Sequence, residues 1–285
     1  MTDGMEAAAQ IIERQSGLSA FDIAVITGAG MSECLEKMDD EVIIPYGELP
    51  GFPKIPAAPG KGQVCTGKLD GVAVICLKGR LEYADTGNRA PMLGAIETLA
   101  FLGVNSVVLC GGAASVNADM YPGALASITD HIDFGGLNPL IGAGAEGGRL
   151  SLTQAYDEKL TARLRRAAAL SGLAIKDAEF MWLAGPSFET PAEARIARQL
   201  GAELIGTGLP GEAILARRAG LRVCRLAAVT HFGAGFQGSD PSHIHVRDMA
   251  RQSAISIRRV LRAFMKTRDS GMAVGATPSL RRPQS

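Results

Sequence analysis

Residues 183–195 read LAGPSFETPAEAR, and this order of residue types sets a strand against a helix with a tight turn between them. The apolar run ending at Leu183 and Ala184 is a strand end, and Gly185 and Pro186 turn the chain. A helix begins near Thr190, with Glu193 placed as its capping-box partner. Glu189 stands just before that cap, at the carboxyl end of a strand, where ligands of α/β sheets bind. A carboxylate there can accept hydrogen bonds from the N–H groups of a ligand; a solvated loop acid is the other reading of the same residue.

The same alternation recurs on both sides. DIAVIT (22–27), VAVICL (72–77), NSVVLC (105–110), EFMWLA (179–184) and RVCRLAAV (222–229) are short apolar runs of strand length. Helical patterns lie at 91–102, 155–170, 190–200 and 247–266, and MEAAAQIIER (5–14) adds a helix before the first strand. Such alternation predicts βα units around one sheet in a single α/β domain spanning 1–268. Residues 50–62 and 135–148, rich in glycine and proline or small residues, predict long loops bordering a site. Residues 269–285 show no apolar periodicity and predict a disordered tail.

Composition excludes several classes. Among 285 residues, Lys plus Arg equal Asp plus Glu at 29 each, so no global field exists to hold nucleic acid or an anionic membrane. An anionic ligand must be held locally. Cys34, Cys65, Cys76, Cys110 and Cys224 are scattered singly, without the paired spacing of a zinc or redox motif. They predict reduced, buried thiols in a cytoplasmic protein and no metal site. No apolar run approaches the roughly 18 residues of a membrane span, and MTDGMEAAAQ lacks the order of a signal peptide.

ITGAGMS (26–32) follows a strand and precedes ECLEKM, which predicts a helix. Backbone N–H groups freed by Gly28 and Gly30 would then face an anion at a helix N-terminus. A tight strand-to-helix turn that needs glycine explains the same residues. The dinucleotide fingerprint GxGxxG is absent, because Glu33 or Cys34 falls where its last glycine belongs.

AGPSFET resembles the signature of trimeric purine nucleoside phosphorylases and methylthioadenosine phosphorylases. YGELPGFP (46–53), KGR (78–80), TDHID (129–133), AYD (155–157), LGAELIG (200–206) and GLRV (220–223) agree with that family in order and spacing. The resemblance implies an α/β fold with a central twisted mixed β-sheet flanked by helices. It also implies a homotrimer, purine nucleoside and phosphate as partners, and no cofactor beyond phosphate as co-substrate.

By that resemblance, Phe188 would stack on the purine and Glu189 would bind its edge. His231 stands where the family usually has Asn or Asp at purine N7. With an ordinary pKa near 6.5 it becomes a candidate general acid there, or a structural histidine. His245, 14 residues later, matches the histidine that reaches the ribose 5′ position, or is a surface histidine. Tyr83 and Thr207 fall at the ribose. Gly28, Ala29, Gly30, Ser32, Lys61, Arg80 and Ala113 (in GGAAS, 111–115) fall at the phosphate.

The anion site departs most from the family pattern. Ala29 replaces a hydroxyl residue, with Ser32 nearby as a partial substitute; Lys61 replaces His, Glu82 replaces His, and Gly208 replaces Ser. A carboxylate about 4 Å from phosphate costs roughly 4 kcal/mol per charge pair at an effective dielectric of about 20. Pairing of Glu82 with Lys61, or an outward turn, would relieve this. The departure leaves three readings open: a purine nucleoside phosphorylase, a nucleosidase with Glu82 as base for water, and a non-catalytic purine-binding homologue. Residues 138–157 are shorter than the family loop and lack Phe, so closure of the site by a neighbouring subunit is not implied.

Overall fold

The apolar runs become the interior strands of one mixed sheet, because both of their faces are covered by helices. A computed structural model describes residues 2–35, 37–55, 61–88, 90–142 and 149–267. The expected tail at 269–285 lies outside the described residues. The strands among them are β1 (Ile23–Thr27), β2 (Asp39–Pro45), β3 (Gln63–Leu69), β4 (Val72–Lys78), β5 (Ser106–Ser115), β6 (Leu125–Asp133), β7 (Ile175–Trp182), β8 (Leu204–Gly206) and β9 (Arg222–Phe232). The helices are α1 (Thr2–Ser16), α2 (Tyr83–Thr86), α3 (Leu93–Phe101), α4 (Glu158–Leu170), α5 (Pro191–Gln199), α6 (Pro210–Arg218) and α7 (His243–Lys266).

The order across the sheet is β2-β3-β4-β1-β5-β8-β7-β6-β9. β5 also pairs in parallel with β9, from Ser106 opposite Arg222 to Ser115 opposite Phe232. The half of the sheet from β5 to β9 therefore closes on itself and leaves no free edge there. The carboxyl ends of the mutually parallel β4, β1, β5 and β9 lie on one rim, and β8, antiparallel to β5, meets that rim at Ala114 and Ser115.

Two apolar layers cover the sheet. Ala8 and Ile12 of α1, Ile96 and Leu99 of α3 and Ile214 of α6 pack on one face. Leu160 and Leu164 of α4 and Ile257, Leu261 and Phe264 of α7 pack on the other. All five cysteines lie buried and free in this second layer, as their apolar surroundings predict. No helix among the described residues is long and apolar enough to cross a membrane.

The structure differs from the sequence expectations in several elements. The predicted helix ECLEKM is absent: Gly30 to Leu35 form turns, with Cys34 N–H donating to the Met31 carbonyl at 3.0 Å. Only Glu36 of that segment lies outside the described residues. The loop is shaped by close approach instead. Gly30 has φ +76°, and a Cβ there would lie 2.6 Å from the Ala250 Cβ of α7. β6 was not legible as a strand because LASITDHID turns polar and exposed at Thr129 and Asp130, where its pairing with β9 stops. β8 has too few residues for any period to show.

Candidate active site

The turn that opens the sequence reading builds one end of the site. Thr190 accepts a hydrogen bond from Glu193 N–H at 3.2 Å, and the Glu193 carboxylate accepts from Thr190 N–H at 2.7 Å, completing the capping box. This fixes the preceding residues. Glu189 is 8% exposed, and its Oε1 accepts the Ala234 N–H at 2.8 Å. Phe188, 38% exposed, meets the His231 ring edge-on at 5.5 Å between centroids. His245 lies exposed in the first turn of α7, capped by Ser242, and its charge reaches His231. Four residues from three distant segments thus converge at the ends of β7 and β9.

Thr230 assigns the tautomer of His231. Its hydroxyl donates to the Ala113 carbonyl at 3.1 Å, which uses its single proton, so it accepts from His231 Nδ1–H at 2.9 Å. Nε2 is left as an acceptor, buried and without a hydrogen-bond partner among the described residues. Burial first, and the neighbouring His245 second, lower the His231 pKa to about 4. The ring is neutral near pH 7 and holds no proton on Nε2, so the general-acid expectation for His231 does not fit this site.

A consequence for stability follows from the sign of that shift. Between about pH 6.5 and about pH 4 the unfolded chain takes up a proton that the native His231 refuses. Native stability is therefore complete above this window and falls as the pH drops through it, by an amount on the order of a few kcal/mol. Urea unfolding of the wild type and His231→Asn at pH 7.5 and pH 5 checks this. The wild type is expected to lose more stability than the variant, and equal losses contradict the assignment.

The other end of the rim is charged. Arg80, after β4, donates through Nε to Glu212 Oε1 of α6 at 2.5 Å and through Nη1 to Glu82 Oε1. Burial would lower the guanidinium pKa, but Glu212 and Glu82 more than offset it and raise it. Burial pushes the Glu82 carboxyl up, while Arg80, the neighbouring Thr207 and Arg225 together hold it below its ordinary value. Neither sequence expectation for Glu82 holds. It neither pairs with Lys61 nor turns outward, but folds onto Arg80. A carboxylate so held is a weak base, which removes the physical ground for activating water through it.

Gly208 makes this pairing possible. A Cβ at position 208 would lie 2.3 Å from Arg80 Nη1 and 2.8 Å from Glu82 Oε1. Arg225 of β9 completes the group. It is 1% exposed, its guanidinium carbon stands 3.8 Å from the centre of the Phe180 ring, and its nitrogens have no hydrogen-bond acceptor among the described residues. The Tyr156 hydroxyl lies beside it outside hydrogen-bond geometry. Glu82 and Glu212 are close enough to interact electrostatically with it. Two buried cations thus face two carboxylates, and the group is neutral without any ligand.

The two ends are joined through residues 183–189. A Cβ at Gly185 would lie 2.9 Å from the Thr207 side chain and 3.5 Å from Ala84. Thr207 and Tyr83, expected at the ribose, line the small cavity beside Arg80 and Glu82. The loop from Gly28 to Ser32 sits across β1 and β5, but the Gly28 N–H is used by the Cys110 carbonyl at 2.8 Å. Ala29 is exposed and Ser32 half-buried. Lys61 is exposed, and a Cβ on Gly79 would touch its Cγ at 2.9 Å, which places its stem next to the approach to Arg80. Ala113 contributes its carbonyl to the Thr230 hydroxyl. No group of three or more potential metal ligands occurs among the described residues.

Sequence reading missed Glu212 and Arg225. A charged residue inside an otherwise apolar element was the available signal: Arg225 interrupts RVCRLAAV, and Glu212 precedes AILA. Neither position has a partner nearby in sequence.

Residues 22–266 match the model of the phosphorylase superfamily, and the chain belongs to that family, within its purine nucleoside phosphorylase branch. It is 30% identical over 268 residues to purine nucleoside phosphorylase 1 of Bacillus subtilis, covering 93% of this chain and 98% of that one. With the purine nucleoside phosphorylase of Mycobacterium leprae it shares 32% identity over 255 residues, covering 89% and 92%. The fold is similar to that of Schistosoma mansoni purine nucleoside phosphorylase in complex with inosine. The TM-score is 0.86 at 24% identity, covering 94% of this chain and 97% of that one.

Proposed function

We propose that this protein is a purine nucleoside phosphorylase, cleaving a purine ribonucleoside with phosphate to give the free base and ribose 1-phosphate. The observation that carries the reading is the convergence of Phe188, Glu189, His231 and His245 at one end of a rim whose other end holds Arg80. Cleavage of an N-riboside passes through a sugar with oxocarbenium-like charge and a base with growing negative charge. Phe188 offers its exposed ring to the base. Glu189 keeps one oxygen for Ala234 and presents the other to the base edge, which suits the N1–H of a 6-oxopurine. His231 Nε2 accepts from N7–H once solvent has protonated N7. His245, Tyr83 and Thr207 position the ribose. Arg80 holds the phosphate, with Lys61, Ser32, Ala113 and the loop Gly28, Ala29 and Gly30 around it. Positioning and fixed dipoles supply most of the rate.

The same proposal includes a cytoplasmic homotrimer with phosphate as co-substrate and no cofactor. The test is turnover of inosine, guanosine, adenosine and methylthioadenosine with and without phosphate. Base release is expected only with phosphate, with ribose 1-phosphate as the second product and inosine or guanosine preferred. Turnover unaffected by phosphate would replace this reading with hydrolysis, and tight purine binding without cleavage of any of the four would replace it with a binding protein.

A further inference from the structure

The anion end of the site already contains an anion. Glu82 bonds Arg80, and its own backbone N–H is anchored by Asp85 Oδ2 at 2.6 Å. Arg80 meanwhile serves Glu212 through Nε, so two of its three nitrogens are already engaged. The pair fills the space over Gly208 that any side chain at that position would claim. Beside Arg80, Glu82, Tyr83, Thr207 and Glu212 lies a small cavity of about 20 Å³. Arg225 balances the second carboxylate, so the group needs no further charge to be neutral.

We propose that Glu82 is a tethered occupant of the nucleophile subsite, whose carboxylate must leave Arg80 before an inorganic oxyanion can bind. The inference rests on the phosphorylase reading only for where the oxyanion binds. The Arg80 Nη1 donor and the space over Gly208 that a phosphate oxygen would use are those Glu82 holds. Phosphate therefore binds in exchange for Glu82, and its apparent affinity is reduced by the free energy of that exchange.

Isothermal titration of inorganic phosphate into the wild type and Glu82→Gln tests this without requiring turnover. The amide keeps the shape and removes the charge, so Glu82→Gln is expected to bind phosphate at least tenfold more tightly. In turnover assays the phosphate KM of Glu82→Gln should fall by a similar factor, while the nucleoside KM stays within about twofold. Unchanged or weaker phosphate binding in a folded Glu82→Gln overturns the inference. If phosphate binding tightens but neither protein cleaves any purine nucleoside at high phosphate, the inference stands and the phosphorylase reading fails. Phosphate-dependent cleavage with an unchanged phosphate KM has the opposite meaning.

Discussion

Arg80→Met is expected to lower the unfolding free energy by about 3–5 kcal/mol and to reduce phosphate-dependent cleavage by roughly 10²–10³-fold. The stability loss arises because Arg80 is the direct counter-ion of two carboxylates, Glu82 and Glu212, the second almost fully buried. Methionine fills similar volume but leaves both carboxylates facing each other, with only Arg225 to balance them. Chemical denaturation midpoints at neutral pH measure the first effect and initial rates at high phosphate the second. The triple variant Arg80→Met, Glu82→Gln, Glu212→Gln separates the two. Removing the carboxylate charges restores most of the stability, since a neutral replacement for a buried ion cluster is often no less stable. Activity remains lost because the cation is still missing. A single Arg80→Met variant as stable as the wild type would show that the carboxylates find another counter-ion.

Glu189→Ala is expected to lower kcat/KM by about 10²-fold and stability by about 1–3 kcal/mol. Both follow from one carboxylate with two duties. Oε1 satisfies the Ala234 N–H at 2.8 Å, and a buried N–H left without an acceptor costs about 1–3 kcal/mol. The second oxygen meets the base, where a charge-assisted hydrogen bond contributes about 1.5–3 kcal/mol. Glu189→Gln divides these duties. Its carbonyl can still accept from Ala234, so stability is expected near that of the wild type. Its amide then turns an N–H donor toward the N–H of the base, so kcat/KM is expected to stay close to that of Glu189→Ala. If Glu189→Gln cleaves a 6-oxopurine nucleoside as fast as the wild type, Glu189 does not accept a hydrogen bond from the base.

What could be read from the chain by itself was chemistry acting over a few residues. The Thr190 and Glu193 capping box, the strand ends before Gly28 and Gly185, and the amphipathic helices at 158–170 and 243–266 are written in neighbouring side chains. Together with the motif order they were enough for the α/β class and for most of the residues gathered on the rim. Local pattern misled only where close packing overrode it, as at ECLEKM, where contact of the Gly30 loop with α7 takes the place of a helix.

The tertiary structure alone decided the chemistry of both ends of the site. The His231 proton sits on Nδ1 because Ala113, 118 residues away in the chain, takes the hydroxyl proton of Thr230. Glu82 points inward because Gly208 leaves room, and Arg80 has a second counter-ion because Glu212 arrives from α6. Charge partners, tautomers and free volume depend on which distant segments meet in a medium that screens poorly. Those meetings are made by the closing of β5 on β9, a contact between strands more than a hundred residues apart in the chain.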